Sequence, residues 1–390
     1  MVEKTPSLPV ETAVIKVLRI ITRMNIGGPA VQVSGLMQGM DKKLFYQELV
    51  TGRCLDNEVD YLESKLPKLK VTRVETLSRR VSTFSDIRTL IFLIKKIREF
   101  KPDIIHTHLA KAGVVGRVAS LLSGHKSIRI HTYHGHLLSG YFTGFKLALL
   151  IFVEKSLAKV THHLVAVGEK VKLDLIQAGI GTTAKFSVVN PGVQIQPLPD
   201  RQKVLTKLHL DQEIIYCAFI GRLTKIKRPD RMLEVAQELK NRKTNIHFIV
   251  AGGGELLAEC KNIARKQKLP VTFIGWQEDI EETLAISDLV LLTSDNEGTP
   301  IALIQAGMAG IASVSTNVGS IAEVVLNNQT GVITDFSVAN IADALEKLSL
   351  NTQLRKQYGQ VASRFCSGKF HTEIMISNYS KLYKQLISKK

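Results

Sequence analysis

Short runs rich in Ile, Val and Leu alternate with helix-length amphipathic stretches along this 390-residue chain, and they do so in two series. The first series begins with IKVLRIITR (15–23), the turn NIGGPA and a helix near 30–40. It continues through QELVTG and a helix over 83–99, where Leu90, Ile91, Leu93, Ile94 and Ile97 recur at helical spacing. DIIHTH (103–108), the helix AKAGVVGRVASLL, SIRIHTY (127–133), HHLVAVG and KFSVVNPG (185–192) complete it. Pro191, Gly192, Pro197 and Pro199 mark a break. IIYCAFIGR (214–222) opens the second series, followed by NIHFIVAGGG, VTFIGW, DLVLLTS, IASVST and GVIT. Strands that alternate with helices make parallel sheets covered on both faces, so two such series predict two doubly wound α/β domains facing across a cleft.

Ligands of such sheets bind beyond the carboxyl ends of the strands, which directs attention to three loops. Gly27-Gly28 follows the first strand, lets backbone approach a ligand and leaves helix amides free for an anion. Gly221-Arg222-Leu223 follows the first strand of the second series, with Lys227 five residues beyond Arg222; a guanidinium fork and an ammonium at one strand end suit phosphate. The third loop, Ser294-Asp295-Asn296-Glu297-Gly298-Thr299-Pro300, separates DLVLLTS from the helix IALIQAGMAG. There Glu297 stands beside amides that Gly298 opens to the cleft, and Pro300 suits a helix start. A carboxylate beside free amides can bind sugar hydroxyls and phosphate together.

Charge narrows the partners. The net charge is +17, and residues 1–200 hold 28 basic and 16 acidic side chains against 24 and 19 in residues 201–390. An anionic partner is expected, chiefly for the first half. Cys54, Cys217, Cys260 and Cys366 form no C-x-x-C pair, which excludes a disulfide scaffold and a zinc ribbon and fits a reducing compartment. No apolar run approaches bilayer-spanning length, and the start MVEKTPSLPVETA has no apolar core of a signal peptide. A cytoplasmic location is the expectation. No nucleic-acid-binding module is recognisable, so nucleic acid is not an expected partner.

These pieces together resemble retaining glycosyltransferase family 4, of the two-domain GT-B fold. The resemblance runs through GGPA (27–30), IIHTHLAKAGVVGR (104–117), HTYHGH (131–136), NPGV (190–193), GRLTKIKRPDRMLEVA (221–236), VAGGGE (250–255), FIGW (273–276) and EGTPIALIQA (297–306). It is similar to the bacterial members that build capsule, exopolysaccharide or O-antigen. It implies a Rossmann-like acceptor domain (1–197), a nucleotide-sugar domain (198–370) and a C-terminal helix (371–390) packing back on the first. By the resemblance Arg222 and Lys227 neutralise the donor diphosphate, and Gly28 with Gly27 forms the first-domain phosphate loop. Glu297 holds the donor sugar, Gly298 and Thr299 give backbone contacts, and His134 lies near the reacting centre. One position departs: the family motif is Glu, seven residues, Glu, and here the second position is Gln305. Its amide lacks the carboxylate's charge and second acceptor oxygen, which weakens a ribose contact.

No cofactor is expected beyond a UDP- or GDP-linked donor, and no metal. The acidic triplets DNE at 56–58 and 295–297 are not D-x-D clamps, leaving cations and helix amides to hold the diphosphate. The clusters His106-x-His108 and His131-x-x-His134-x-His136 tempt a metal reading, and pairs two apart could converge on a strand face, but no cysteine and few acids lie near. Lys111 and Arg117 are candidates for an anionic acceptor, with a solvated surface as the alternative. Within 136–160, Leu137, Leu138, Tyr141, Phe142 and Phe145 offer contact with a bilayer, the rest reading as a buried helix. The expected activity is hexose transfer to a lipid-linked or growing glycan at an anionic membrane surface. A non-transferring scaffold, an inverting GT-B enzyme and an epimerase are the alternatives.

Overall fold

A computed structural model describes residues 14–55, 58–78, 82–135, 144–277 and 279–389. The first domain is built on a parallel sheet of β1 (Ile15–Ile21), β2 (Phe45–Thr51), β3 (Thr72–Arg73), β4 (Ile104–His108), β5 (Ile128–Tyr133), β6 (His163–Ala166) and β7 (Phe186–Val188). Their order is β3-β2-β1-β4-β5-β6-β7. The second sheet holds β8 (Ile215–Ile220), β9 (Ile246–Ala251), β10 (Val271–Gly275), β11 (Leu289–Leu292), β12 (Ala312–Thr316) and β13 (Gly331–Thr334), ordered β10-β9-β8-β11-β12-β13. Every pairing between named strands is parallel. In each sheet the order reverses at its first strand, so crevices open beside β1/β4 and β8/β11. This is the doubly wound pair of domains that the alternation predicts.

The central strands are buried on both faces, which explains their largely apolar sequences: Val17, Leu18, Ile20 and Ile21 on β1, where the buried Arg19 interrupts the run, and Phe248, Ile249 and Val250 on β9, are all fully buried. β3 spans two residues and has no run long enough to betray it in the sequence. The helix expected over 83–99 is Thr83–Phe100, burying Leu93 and Ile97. The helix expected near 30–40 is Gly28–Gly39; it starts earlier because Gly27, at φ 154°, caps it and Pro29 suits a first turn. Of the stretch 136–160, the structure describes a helix from Gly144 to Val160; Leu137, Leu138, Tyr141 and Phe142 lie outside the described residues.

The chain passes between the domains twice, and the two passages touch. The Val193 amide donates to the Phe370 carbonyl at 2.7 Å, and the Thr372 amide donates to the Val193 carbonyl at 3.2 Å. The last helix, Thr372–Ser388, then lies on the first domain, where Met375, Tyr379, Leu382 and Tyr383 share a core with Val17, Leu36, Phe45 and Ile130. The core against the first sheet is thus completed by residues 375–383, from the far end of the chain.

Candidate active site

The carboxyl ends of the two sheets face each other, and the loops predicted to carry chemistry meet between them. Gly28 opens the helix after β1 and lies against Ile301: a β-carbon there would sit 3.3 Å from the Ile301 side chain. After β8, Gly221 at φ 150° turns the chain into the basic loop 222–228. That loop is fastened to the one after β11. Thr293 Oγ1 donates to the carbonyls of Lys227 (3.1 Å) and Arg228 (2.8 Å), and the Asp295 amide donates to the Ile226 carbonyl (2.9 Å). Arg231 donates to the Thr293 carbonyl at 2.6 Å and to Asp295 at 2.8 Å. The basic loop therefore holds a fixed shape, and Lys227 has a defined target.

That target is Glu297. Lys227 Nζ donates to Glu297 Oε1, which also accepts from Ser294 Oγ at 2.6 Å. Only 9% of Glu297 is exposed, so the carboxylate is held by an ammonium and a hydroxyl in a largely dry site. Gly298 packs against the opposite domain. A β-carbon at Gly298 would lie 2.6 Å from the His134 carbonyl oxygen and 2.8 Å from Gly135 Cα. Thr299 Oγ1 crosses the cleft as well, donating to the Val167 carbonyl at 2.7 Å. Nearby, Glu323 of the second domain accepts the Glu169 and Lys170 amides at 2.9 and 3.0 Å, capping a first-domain helix that begins with Glu169. The cleft is closed along this edge.

His134 stands at the end of a row of histidine rings. Its Nε2 is 2.9 Å from His108 Nδ1, and the His108 ring lies 4.1 Å from the His106 ring, centroid to centroid. His106 in turn contacts Tyr383 OH at 2.5 Å and Thr132 Oγ1 at 2.7 Å. Burial pushes His134 down to about 3, and pushes His106, His108 and His131 well below the usual imidazole range. His134 is therefore neutral at ordinary pH, able to donate from one nitrogen and accept at the other. The ring nitrogens of His106 are taken by hydroxyls and by Arg19, which is the local explanation for the first histidine pair.

Two candidates fall elsewhere than a solvated acceptor surface. Arg117 is wholly buried: its Nη2 donates to both Glu154 carboxylate oxygens at 2.9 and 2.8 Å, and its Nε donates to the Gly113 carbonyl at 2.7 Å. An arginine with its charge spent on a buried carboxylate cannot meet an acceptor, so the expected contact is corrected to a structural one. Lys111 Nζ lies 2.5 Å from Asp86, an ion pair between neighbouring helices.

Arg222 lines a cavity of about 280 Å³ between the domains. Asn25, Ile26 and Glu58 face it from the first domain, and Thr224, Gly253 and Trp276 from the second. Trp276 has no counterpart among the expected site residues. It closes on Gly253, where a β-carbon would meet its indole nitrogen at 2.7 Å, and a lone tryptophan just past a strand was the available signal. Gln305 is half-buried in the helix Ile301–Met308, eight residues beyond Glu297.

Two facing doubly wound domains with a cation-held carboxylate at their junction define a GT-B fold, and the comparisons identify its class. Residues 26–196 match the model of Glycosyltransferase Family 4, and residues 200–365 match glycosyl transferases group 1. Over 270 residues the chain is 30% identical to the UDP-Gal:alpha-D-GlcNAc-diphosphoundecaprenol alpha-1,3-galactosyltransferase of Escherichia coli, covering 66% of this chain and 68% of that protein. It is 24% identical over 326 residues to the capsular polysaccharide biosynthesis glycosyltransferase CapM of Staphylococcus aureus, covering 80% and 85%. Among solved structures, sucrose-phosphate synthase of Thermosynechococcus elongatus superposes with a TM-score of 0.81 at 15% identity, covering 96% of this chain and all of that one. HepE of Anabaena, in complex with UDP and glucose, superposes with a TM-score of 0.79 at 18% identity, covering 95% and all of that chain. The chain belongs to the family 4 glycosyltransferases.

Proposed function

We propose that this glycosyltransferase moves a hexose from a UDP- or GDP-linked donor to a lipid-linked or growing glycan acceptor, with retention of anomeric configuration. The observation that carries the proposal is the cluster Lys227–Glu297–Ser294 set against His134-Gly135 of the other domain. The E. coli relative is named for a UDP-galactose donor and a diphosphoundecaprenol-linked acceptor, which supports a nucleotide sugar on one side and a lipid-linked glycan on the other.

In this reading the nucleoside lies in the cavity of Arg222 and Trp276, and the diphosphate meets Arg222, Lys227 and the first amides of the Ile301–Met308 helix. Glu297 accepts hydrogen bonds from the donor sugar hydroxyls, sharing its charge between them and Lys227. The acceptor hydroxyl attacks the anomeric carbon on the face the diphosphate leaves. A bond forms from acceptor oxygen to carbon, the carbon–phosphate-oxygen bond breaks, and the acceptor proton passes to the departing phosphate oxygen. His134, neutral, orients the reacting groups rather than taking the proton.

Cations and amides at the diphosphate position support transfer without a metal. The basic first half supports peripheral contact with an anionic membrane. A panel of UDP- and GDP-hexoses screened by thermal shift tests donor use, because a bound donor stabilises the fold by mass action. Incubation of the stabilising donor with polyprenyl-diphosphate-linked sugar, with product anomers assigned by nuclear magnetic resonance, tests the rest. An inverted product, or undiminished need for a divalent ion after chelation, overturns the corresponding part.

A further inference from the structure

The helix Gly144–Val160 follows the His134-Gly135 end of β5 and presents an unusual outer face. Phe145, Leu149 and Phe152 are 80, 51 and 67% exposed, at the i, i+4, i+7 spacing of one stripe. Lys146, Lys155 and Lys159 are exposed beside them. The helix has one acidic residue, Glu154, and that residue is fully buried. Apart from Ser156, its exposed side chains are therefore aromatic, aliphatic or cationic, and none of them is acidic.

The buried ion pair sets this orientation. Glu154 accepts from Arg117 on the neighbouring helix Ala110–Leu122 and from Tyr133 OH at 2.8 Å. Leu157 and Ala158 are buried on the same side. Arg117 and Tyr133 thus clasp one face of the helix to the domain, leaving the opposite stripe outward. Large apolar side chains flanked by lysines suit a headgroup layer, where the rings enter the acyl boundary and the ammonium groups meet lipid phosphate. No helix among the described residues is long and apolar enough to cross a membrane.

We infer that the outer face of the helix 144–160 docks on an anionic lipid bilayer, through Phe145, Leu149 and Phe152 with Lys146, Lys155 and Lys159. The inference deepens the proposed function and rests on its lipid-linked acceptor. The helix belongs to the same domain as His134, which puts the membrane against the acceptor domain. Charge complementarity selects this occupant over a second copy of the chain, whose matching face would carry the same lysines.

The test uses the full chain and needs no substrate. Wild type and the triple variant Phe145→Ser, Leu149→Ser, Phe152→Ser are sedimented with phosphatidylcholine vesicles, with and without phosphatidylglycerol. A second variant, Lys146→Gln with Lys155→Gln, separates charge from insertion, and light scattering reports the oligomeric state. Wild type is expected to sediment with the anionic vesicles and to be released by salt. The serine variant is expected to stay in solution, and the lysine variant to lose about fivefold in partitioning for each charge removed. All three should melt alike and turn over equally on a water-soluble acceptor analogue. Equal binding by wild type and the serine variant would overturn the inference, as would a wild-type dimer that the serines dissociate. Vesicle binding without sugar transfer would count against the proposed function alone.

Discussion

Gly298 of the second domain packs on the backbone of His134 in the first, so closely that a β-carbon would come within 2.6 Å of the His134 carbonyl oxygen. Gly135 is equally near, and both neighbours are backbone. Gly298→Ala cannot be accommodated by a rotamer change and must push the domains apart. The substitution should lower kcat about a hundredfold, the scale expected when a reacting geometry is displaced by about an ångström. Thermal melting should change little, because each domain keeps its own core. Steady-state transfer with small-angle scattering checks both; normal kcat at an unchanged radius of gyration would refute the contact's role.

The buried histidines make the protein acid-labile. His106, His108 and His131 are held well below the ordinary imidazole range, His134 at about 3 and His163 at about 4, in each case chiefly by burial. Below about pH 6.5 the unfolded chain binds protons that the folded chain refuses. Stability is therefore full above that pH and falls as pH drops toward 4, by up to about 1.4 kcal/mol per pH unit for each such histidine. Melting temperatures recorded from pH 7.5 to 5 should decline steeply below 6.5. A flat profile over that range would contradict the burial of these rings.

Neutral His134 also predicts the shape of the activity profile. Its depression to about 3 leaves no imidazole titration at this position between pH 6 and 9. The kcat profile of wild type should therefore lack a limb near 6.5 that disappears in His134→Asn. Such a limb, if found and abolished by the substitution, would make His134 a general base.

Arg117→Ala should be the costliest of the surface-looking substitutions. It leaves Glu154 charged and buried without its cation, a loss of about 3–5 kcal/mol. Denaturant unfolding would register this as a lower midpoint. A change under about 0.5 kcal/mol, as for a solvated arginine, would refute the ion pair.

Gln305→Glu places a carboxylate eight residues beyond Glu297. If this position meets the ribose, a charged acceptor should tighten nucleoside diphosphate binding about fivefold over the amide, measured by calorimetry. An unchanged Kd would move the ribose elsewhere.

The parallel sheets were legible because central strands such as β1 and β9 are buried on both faces and so write themselves as mostly apolar runs. The loops after β1, β8 and β11 were legible for a related reason: topology delivers strand ends to one cleft whatever their sequence. What distance in the chain separates, sequence concealed. Arg117 reads as a surface residue until Glu154, 37 positions on, is folded against it. Tyr383 contacts His106 across 277 positions, and nothing local marks either as a partner. Thr299 was expected to offer its backbone, yet its hydroxyl ties the domains together through Val167.

Lys227 and Ser294 hold the Glu297 carboxylate at the junction of the domains, where the donor sugar is proposed to sit. Transfer from a nucleotide hexose to a lipid-linked acceptor, followed for wild type, Glu297→Ala and Lys227→Ala, tests that placement most directly. Glu297→Ala should retain the wild-type melting temperature within a few degrees, Lys227→Ala should melt lower because it leaves Glu297 without its cation, and each should lose about 100- to 1,000-fold in kcat, the scale for removing a preorganised charge partner. Near-normal turnover in Glu297→Ala would contradict the site and the mechanism built on it.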